Sequence, residues 1–109
     1  MDLGLRVYAE LPDAAAGEAL ADEIVRLLPP SARVLVREVD RYWKIPEYQG
    51  VWLRLATPDL IGTFDAVMAA LAERWKIHCE AEERWAVWNS GHDGPATLPA
   101  LRWMNLEPI

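Results

Sequence analysis

A chain of 109 residues that is 52% hydrophobic and 26% charged has about one domain's worth of length and an ordinary globular composition, which excludes disorder throughout. Its formal net charge of -6 argues against nucleic acid, whose phosphates call for a basic patch, and suits a basic protein partner. Cys79 is the only cysteine, so no internal disulfide or four-cysteine metal cage can form, and no apolar run approaches the ~18 residues of a membrane span.

In chain order, Leu3, Leu5, Val7 and Ala9 alternate with Gly4, Arg6, Tyr8 and Glu10, the period of a half-buried strand. Asp13 is placed to cap a helix running to about Leu28, with Leu20, Ile24, Leu27 and Leu28 on one face and Pro29-Pro30 as its stop. Arg33 to Trp43 reads as a second strand. Ile45 to Gly50 is a turn, and Val51, Leu53 and Leu55 alternate with Trp52 and Arg54 in a third strand that pairs with the second as a hairpin. Thr57 fits the N-cap and Pro58 the first position of a second helix, along which Leu60, Phe64, Val67, Met68, Leu71 and Trp75 recur at helical spacing. Ile77 to Asn89 reads as a fourth strand, Ser90 to Pro99 as a loop, and Leu101 to Leu106 as a tail or fifth strand.

The order βαββαβ plus a tail predicts a single α+β domain over residues 1–109. The expected fold is ferredoxin-like, a four-stranded antiparallel sheet with both helices on one face. The helix-free face then carries Tyr8, Trp52 and Trp88, edged by Arg6, Arg54 and Arg84. Aromatics of that size require cover: by residues 90–109 packing on the sheet, by a second copy, or by a partner. A homodimeric regulatory or small-molecule-binding domain is the alternative function that this face suggests.

Little points to catalysis. His78 and Cys79 are adjacent, so on a strand they point to opposite faces and form no thiolate pair. His92 and Asp93 lie in a Gly-His-Asp-Gly turn, the one place where a small enzyme's site is conceivable. Metal-ligand spacing and a glycine-rich phosphate loop are both missing, so no cofactor is expected. Tyr8 and Trp52 resemble an RNA-stacking pair, but Glu10, Glu38, Asp40 and Glu47 would repel phosphates. The stretch Asp40 to Tyr48 reads as a partner surface, because it joins Tyr42, Trp43 and Tyr48 to alternating charges at a hairpin end. Trp43 and Ile45 fit equally well as staples onto the core. The candidate contacts are Asp40, Tyr42, Glu47 and Tyr48, with Glu80, Glu82 and Glu83 as a second acidic patch.

Three blocks, Tyr42-Trp43-Lys44-Ile45-Pro46-Glu47-Tyr48, Arg84-Trp85-Ala86-Val87-Trp88-Asn89 and Arg102-Trp103-Met104-Asn105-Leu106-Glu107, together resemble small bacterial immunity proteins. These are the antidotes encoded beside polymorphic or contact-dependent toxins. The resemblance implies a non-enzymatic inhibitor that occludes the active site of a toxin domain, in many cases a basic nuclease. The N-terminal Met-Asp-Leu-Gly-Leu-Arg lacks the basic region and apolar run of a secretory signal, and with a lone cysteine the expected compartment is the cytoplasm.

Overall fold

The computed structural model describes residues 1–80 and 83–109. Alternation and capping lay down most of the elements where the residue pattern predicts them. β1 is Asp2–Glu10, α1 Ala14–Leu27, β2 Arg33–Arg41, β3 Tyr48–Ala56 and α2 Leu60–Leu71. Asp13 caps α1, its carboxylate accepting the Ala16 N–H at 2.8 Å. α2 is capped by Asp59, which accepts the Gly62 N–H at 3.0 Å, and not by Thr57. The Thr57 hydroxyl instead bonds Thr63 at 2.7 Å, and Ser31 bonds Thr63 at the same distance. The last turn of α2 is closed by Trp75, whose indole N–H donates to the carbonyls of Met68 at 3.0 Å and Ala72 at 3.3 Å.

The ferredoxin-like expectation is wrong beyond α2. The run Ile77–Asn89 is not one strand but a hairpin, β4 (Lys76–Glu80) and β5 (Glu83–Asn89), with Glu80 opposite Glu83. The tail is a full strand, β6 (Leu101–Pro108). The six strands form one antiparallel sheet in the order β2-β3-β1-β6-β5-β4. Its β2-β3-β1 part, bridged by α1, matches the first half of the expected topology. The place beside β1 that a fourth strand would take is held by β6, and the chain leaving α2 reaches the opposite edge before returning through β5.

Apolar rows explain the choice of neighbour. Leu53, Leu5, Leu106 and Ala86 stand opposite one another across four strands, and Val51, Val7, Met104 and Trp88 form the next row. All eight are buried beneath the helices. A β5 placed beside β1 would leave the apolar side of β6 without cover. The helices close this face through Leu20, Ala21 and Ile24 of α1 and Phe64, Val67, Met68 and Leu71 of α2. The Arg37 guanidinium fastens edge strand β2 to α1, donating to Glu18 at 2.8 Å and Asp22 at 2.7 Å; these two bonds raise its pKa. Ser90 to Ala100 is held to the body through Thr97, whose N–H bonds Leu71 O at 2.9 Å and whose hydroxyl bonds Ala70 O at 2.7 Å. Among the described residues no helix is long and apolar enough to cross a membrane.

Candidate binding surface

No segment among the described residues lies over the sheet face opposite the helices. The tail expected to pack over it instead enters the sheet edgewise as β6 and widens the face. Strand parity puts Arg6 and Tyr8 of β1, Trp52 and Arg54 of β3, and Trp103 and Asn105 of β6 on this side. Trp85 of β5 and His78 of β4 extend it, their rings stacked with centroids 5.3 Å apart.

Trp88 does not belong to this face. It is 1% exposed, opposite Met104 on the helix side, and its indole N–H has no hydrogen-bond partner among the described residues. Arg84 goes with it, lying 4.3 Å from the Phe64 ring and ion-paired to Asp65 of α2. The alternation along β5 is as expected, with the two sides exchanged. Trp85 and Val87, not Arg84 and Trp88, face outward.

The aromatics are ordered by one glycine. Across the sheet Asp40, Gly50, Tyr8 and Trp103 stand in a row. Gly50 has no side chain, so the Tyr8 ring lies over it; a Cβ there would meet Tyr8 Cε1 at 3.0 Å. Tyr8 thereby stacks on Tyr42 at 4.2 Å and 10° on one side and on Trp103 at 5.3 Å on the other. Trp43 meets Tyr42 edge-on at 6.5 Å and carries the Lys44 ammonium 5.2 Å from its ring centre. Trp43 is 79% exposed and Ile45 is exposed as well, so neither staples the hairpin onto the core.

Beside this stack lies an open cleft of about 500 Å³, lined by Tyr8, Tyr42, Trp43, Trp52, Gly50 and Val51 and by the charged Arg6, Glu38, Asp40 and Arg41. The charges are sorted by strand. Glu38 and Asp40 point from edge strand β2 onto the open face, and Arg6 stands two strands inward with Trp52 between it and Glu38. None of these four charged side chains makes an ion pair among the described residues, whereas Arg37, Arg54, Arg84 and Arg102 each do.

The sequence-predicted contacts are thus divided. Asp40 and Tyr42 line the cleft, and Trp52 and Tyr8 form its walls. Tyr48 is half-buried at the start of β3, opposite Glu10, and Glu47 is exposed in the turn, its carbonyl accepting the Leu11 N–H at 3.1 Å. Glu80 and Glu83 are exposed at the far end of the sheet, about 24 Å and about 19 Å from β2 by five and four strand spacings. Glu82 lies outside the described residues. The structure therefore does not merge the two acidic groups into one patch. Sequence reading missed Trp103, Trp85 and Glu38 as members of the open face. The available signal was alternation, with Trp103 and Asn105 interleaved with apolar Met104 and Leu106.

The polar groups considered for catalysis are placed apart. His78 stacks on Trp85, and Cys79 is exposed on the same edge strand with its side chain toward the other face. Asp93 is 8% exposed and its carboxylate accepts the Asn89 N–H at 2.8 Å, closing the turn in which Gly94 takes a positive φ of 79°. His92 is exposed beside it. Among the described residues no three His, Cys, Asp or Glu side chains are grouped to hold a metal. Comparison with protein-family models, with curated proteins and with solved structures finds no match to this chain.

Proposed function

We propose that this chain is a non-enzymatic binding protein, specifically an immunity protein that neutralises a cognate bacterial toxin domain in the cytoplasm by occluding its active site. The observation that carries the reading is the uncovered aromatic face. Tyr8, Trp52, Trp85 and Trp103 lie half-buried on a surface no other segment of the described chain overlies, with Trp43 79% exposed at its margin. Strand spacing and rise give that face a projected area of roughly 600 Å², near the ~800 Å² each partner contributes to a standard interface. The aromatic core and charged rim match the anatomy of such interfaces. The net charge of -6 favours a basic partner.

The test is co-expression with the toxin domain encoded by the adjacent gene. The chain should co-purify with it and restore growth, and Trp52→Arg should abolish both while the folded chain remains soluble. A toxin that kills equally with and without the chain overturns the reading. The same uncovered face supports one other reading, a homodimer of a regulatory or small-molecule-binding domain packed face to face. Sedimentation distinguishes the two: a dimer that Trp52→Arg converts to monomer favours the second, and a monomer with intact toxin binding favours the first.

A further inference from the structure

We infer that the cleft between Trp52 and the Tyr8–Tyr42 stack is a receptor for a single arginine side chain of the partner. The inference rests on the binding-protein reading and adds the chemistry of the group recognised. Three features of the cleft select that group. Its lining is aromatic: Trp52, two residues along β3 from Gly50, and beside it the Tyr8–Tyr42 pair, in which both faces of Tyr8 are already taken by Tyr42 and Trp103. Planar guanidinium packs on an indole such as Trp52 and is weakly hydrated, whereas ammonium is a strongly hydrated point charge. Its outer wall carries two carboxylates on one face of β2, Glu38 opposite Trp52 and Asp40 opposite Gly50. They are two residues apart, so about 6.6 Å separates their backbones, within the reach of a forked donor. Both carboxylates lack an ion pair among the described residues, although Arg37, Arg54, Arg84 and Arg102 find carboxylates elsewhere on the surface.

The cleft's own cations do not occupy that role. Arg6 stands on β1, behind Trp52 as seen from Glu38, and Arg41 is paired with Gln49, whose side chain faces the helices. Arg6 instead repels a second positive charge from the inner end, which fixes the direction of approach from the β2 edge. Lys44, held 5.2 Å over the Trp43 ring, flanks the cleft without lining it.

The probe is the capped peptide acetyl-Gly-Arg-Gly-amide, with its citrulline counterpart as the neutral isostere, titrated into the whole chain and followed by the six tryptophan indole N–H resonances. The arginine peptide should shift the Trp52 and Trp43 resonances saturably and leave that of buried Trp88 in place. The citrulline peptide should bind at least ten-fold more weakly, and Glu38→Gln with Asp40→Asn should lower arginine affinity about ten-fold, the size of one charge-assisted hydrogen bond. Equal shifts from both peptides, an unsaturable response, or full affinity in the double variant would each overturn the inference. The unchanged Trp88 resonance certifies the fold in every arm. The peptide result does not depend on toxin protection. Protection without arginine binding removes this inference alone, and arginine binding without protection removes the immunity reading alone.

Discussion

At the scale of single residues, two glycines hold space that other side chains use. Gly50 is the bed on which Tyr8 lies, and a methyl group there meets Tyr8 Cε1 at 3.0 Å, Cδ1 at 3.3 Å and the Asp40 carbonyl at 3.4 Å. Tyr8 is pinned on both sides by Tyr42 and Trp103, so it cannot yield cheaply. Alanine normally improves on glycine within a strand; here Gly50→Ala is expected to destabilise by about 1 kcal/mol and to reduce near-ultraviolet circular dichroism, as measured by urea unfolding alongside spectra of the folded variant. Gly17 is the same case on the helix side. A Cβ would come within 2.8 Å of Val39 Cγ1 and 3.3 Å of Gln49 Cβ. The gain in helix propensity, about 1 kcal/mol, is opposed by overpacking of about 1–3 kcal/mol against a stiff β-branched side chain. Gly17→Ala should therefore lower stability despite lying in a helix, and a stabilised variant in denaturant titration would contradict the close packing of α1 on β2 and β3.

At the scale of elements, β6 is the decisive strand. It pairs with β1 on one side and β5 on the other, and β1 and β5 do not pair with each other. Deleting residues 100–109 would uncover the buried sides of Leu5, Val7 and Trp88 together and leave β1 with a naked edge. The truncated chain is expected to lose cooperative unfolding altogether, whereas a tail lying over a complete four-stranded sheet would cost only local protection; thermal unfolding followed by circular dichroism separates the two. Leu106→Ala, at the centre of a row of buried side chains, should cost about 2–5 kcal/mol in the same measurement. These elements also mark how far the sequence could be read. β1, α1, β2, β3 and α2 were legible because their signals are local: alternation, Asp13, Pro29-Pro30, and the spacing from Leu60 to Leu71. The split of Ile77–Asn89 was not, since no glycine or proline announces the reversal between Glu80 and Glu83. Which side of β5 faces inward depended on a neighbour about 18 residues away. The polar Arg84 pulled the reading outward, yet at the end of the sheet an arginine reaches back to Asp65 while its stem covers Phe64. The cleft was half legible, in Tyr8, Trp52, Asp40 and Tyr42. Its stack was not, because Trp103 arrives from the far end of the chain.

At the scale of the whole molecule, the acidic groups sit at opposite edges of the sheet, so their electrostatic roles separate. Reversal of Asp40 and Glu47 to lysine should slow association with the proposed basic toxin domain and weaken its dependence on salt. Reversal of Glu80 and Glu83, about 19–24 Å away and beyond a Debye length at physiological ionic strength, should alter the association rate less than two-fold. Stopped-flow mixing at two salt concentrations measures both. Equal effects from the two pairs would mean that the partner covers the entire face.

The position of β6 also sets a timetable. Its pairing of Leu3 with Pro108 joins the two ends of the polypeptide, and the portions on either side of it, β2-β3-β1 with α1 and the β4-β5 hairpin, meet in the sheet only through it. Closing so long a loop is entropically slow. The sheet therefore cannot grow steadily from its first strand. Its two portions are expected to join only when β6 docks, and Trp103 then takes its place beside Tyr8 on a face that β2-β3-β1 has already laid out through Tyr8, Gly50, Trp52 and Asp40.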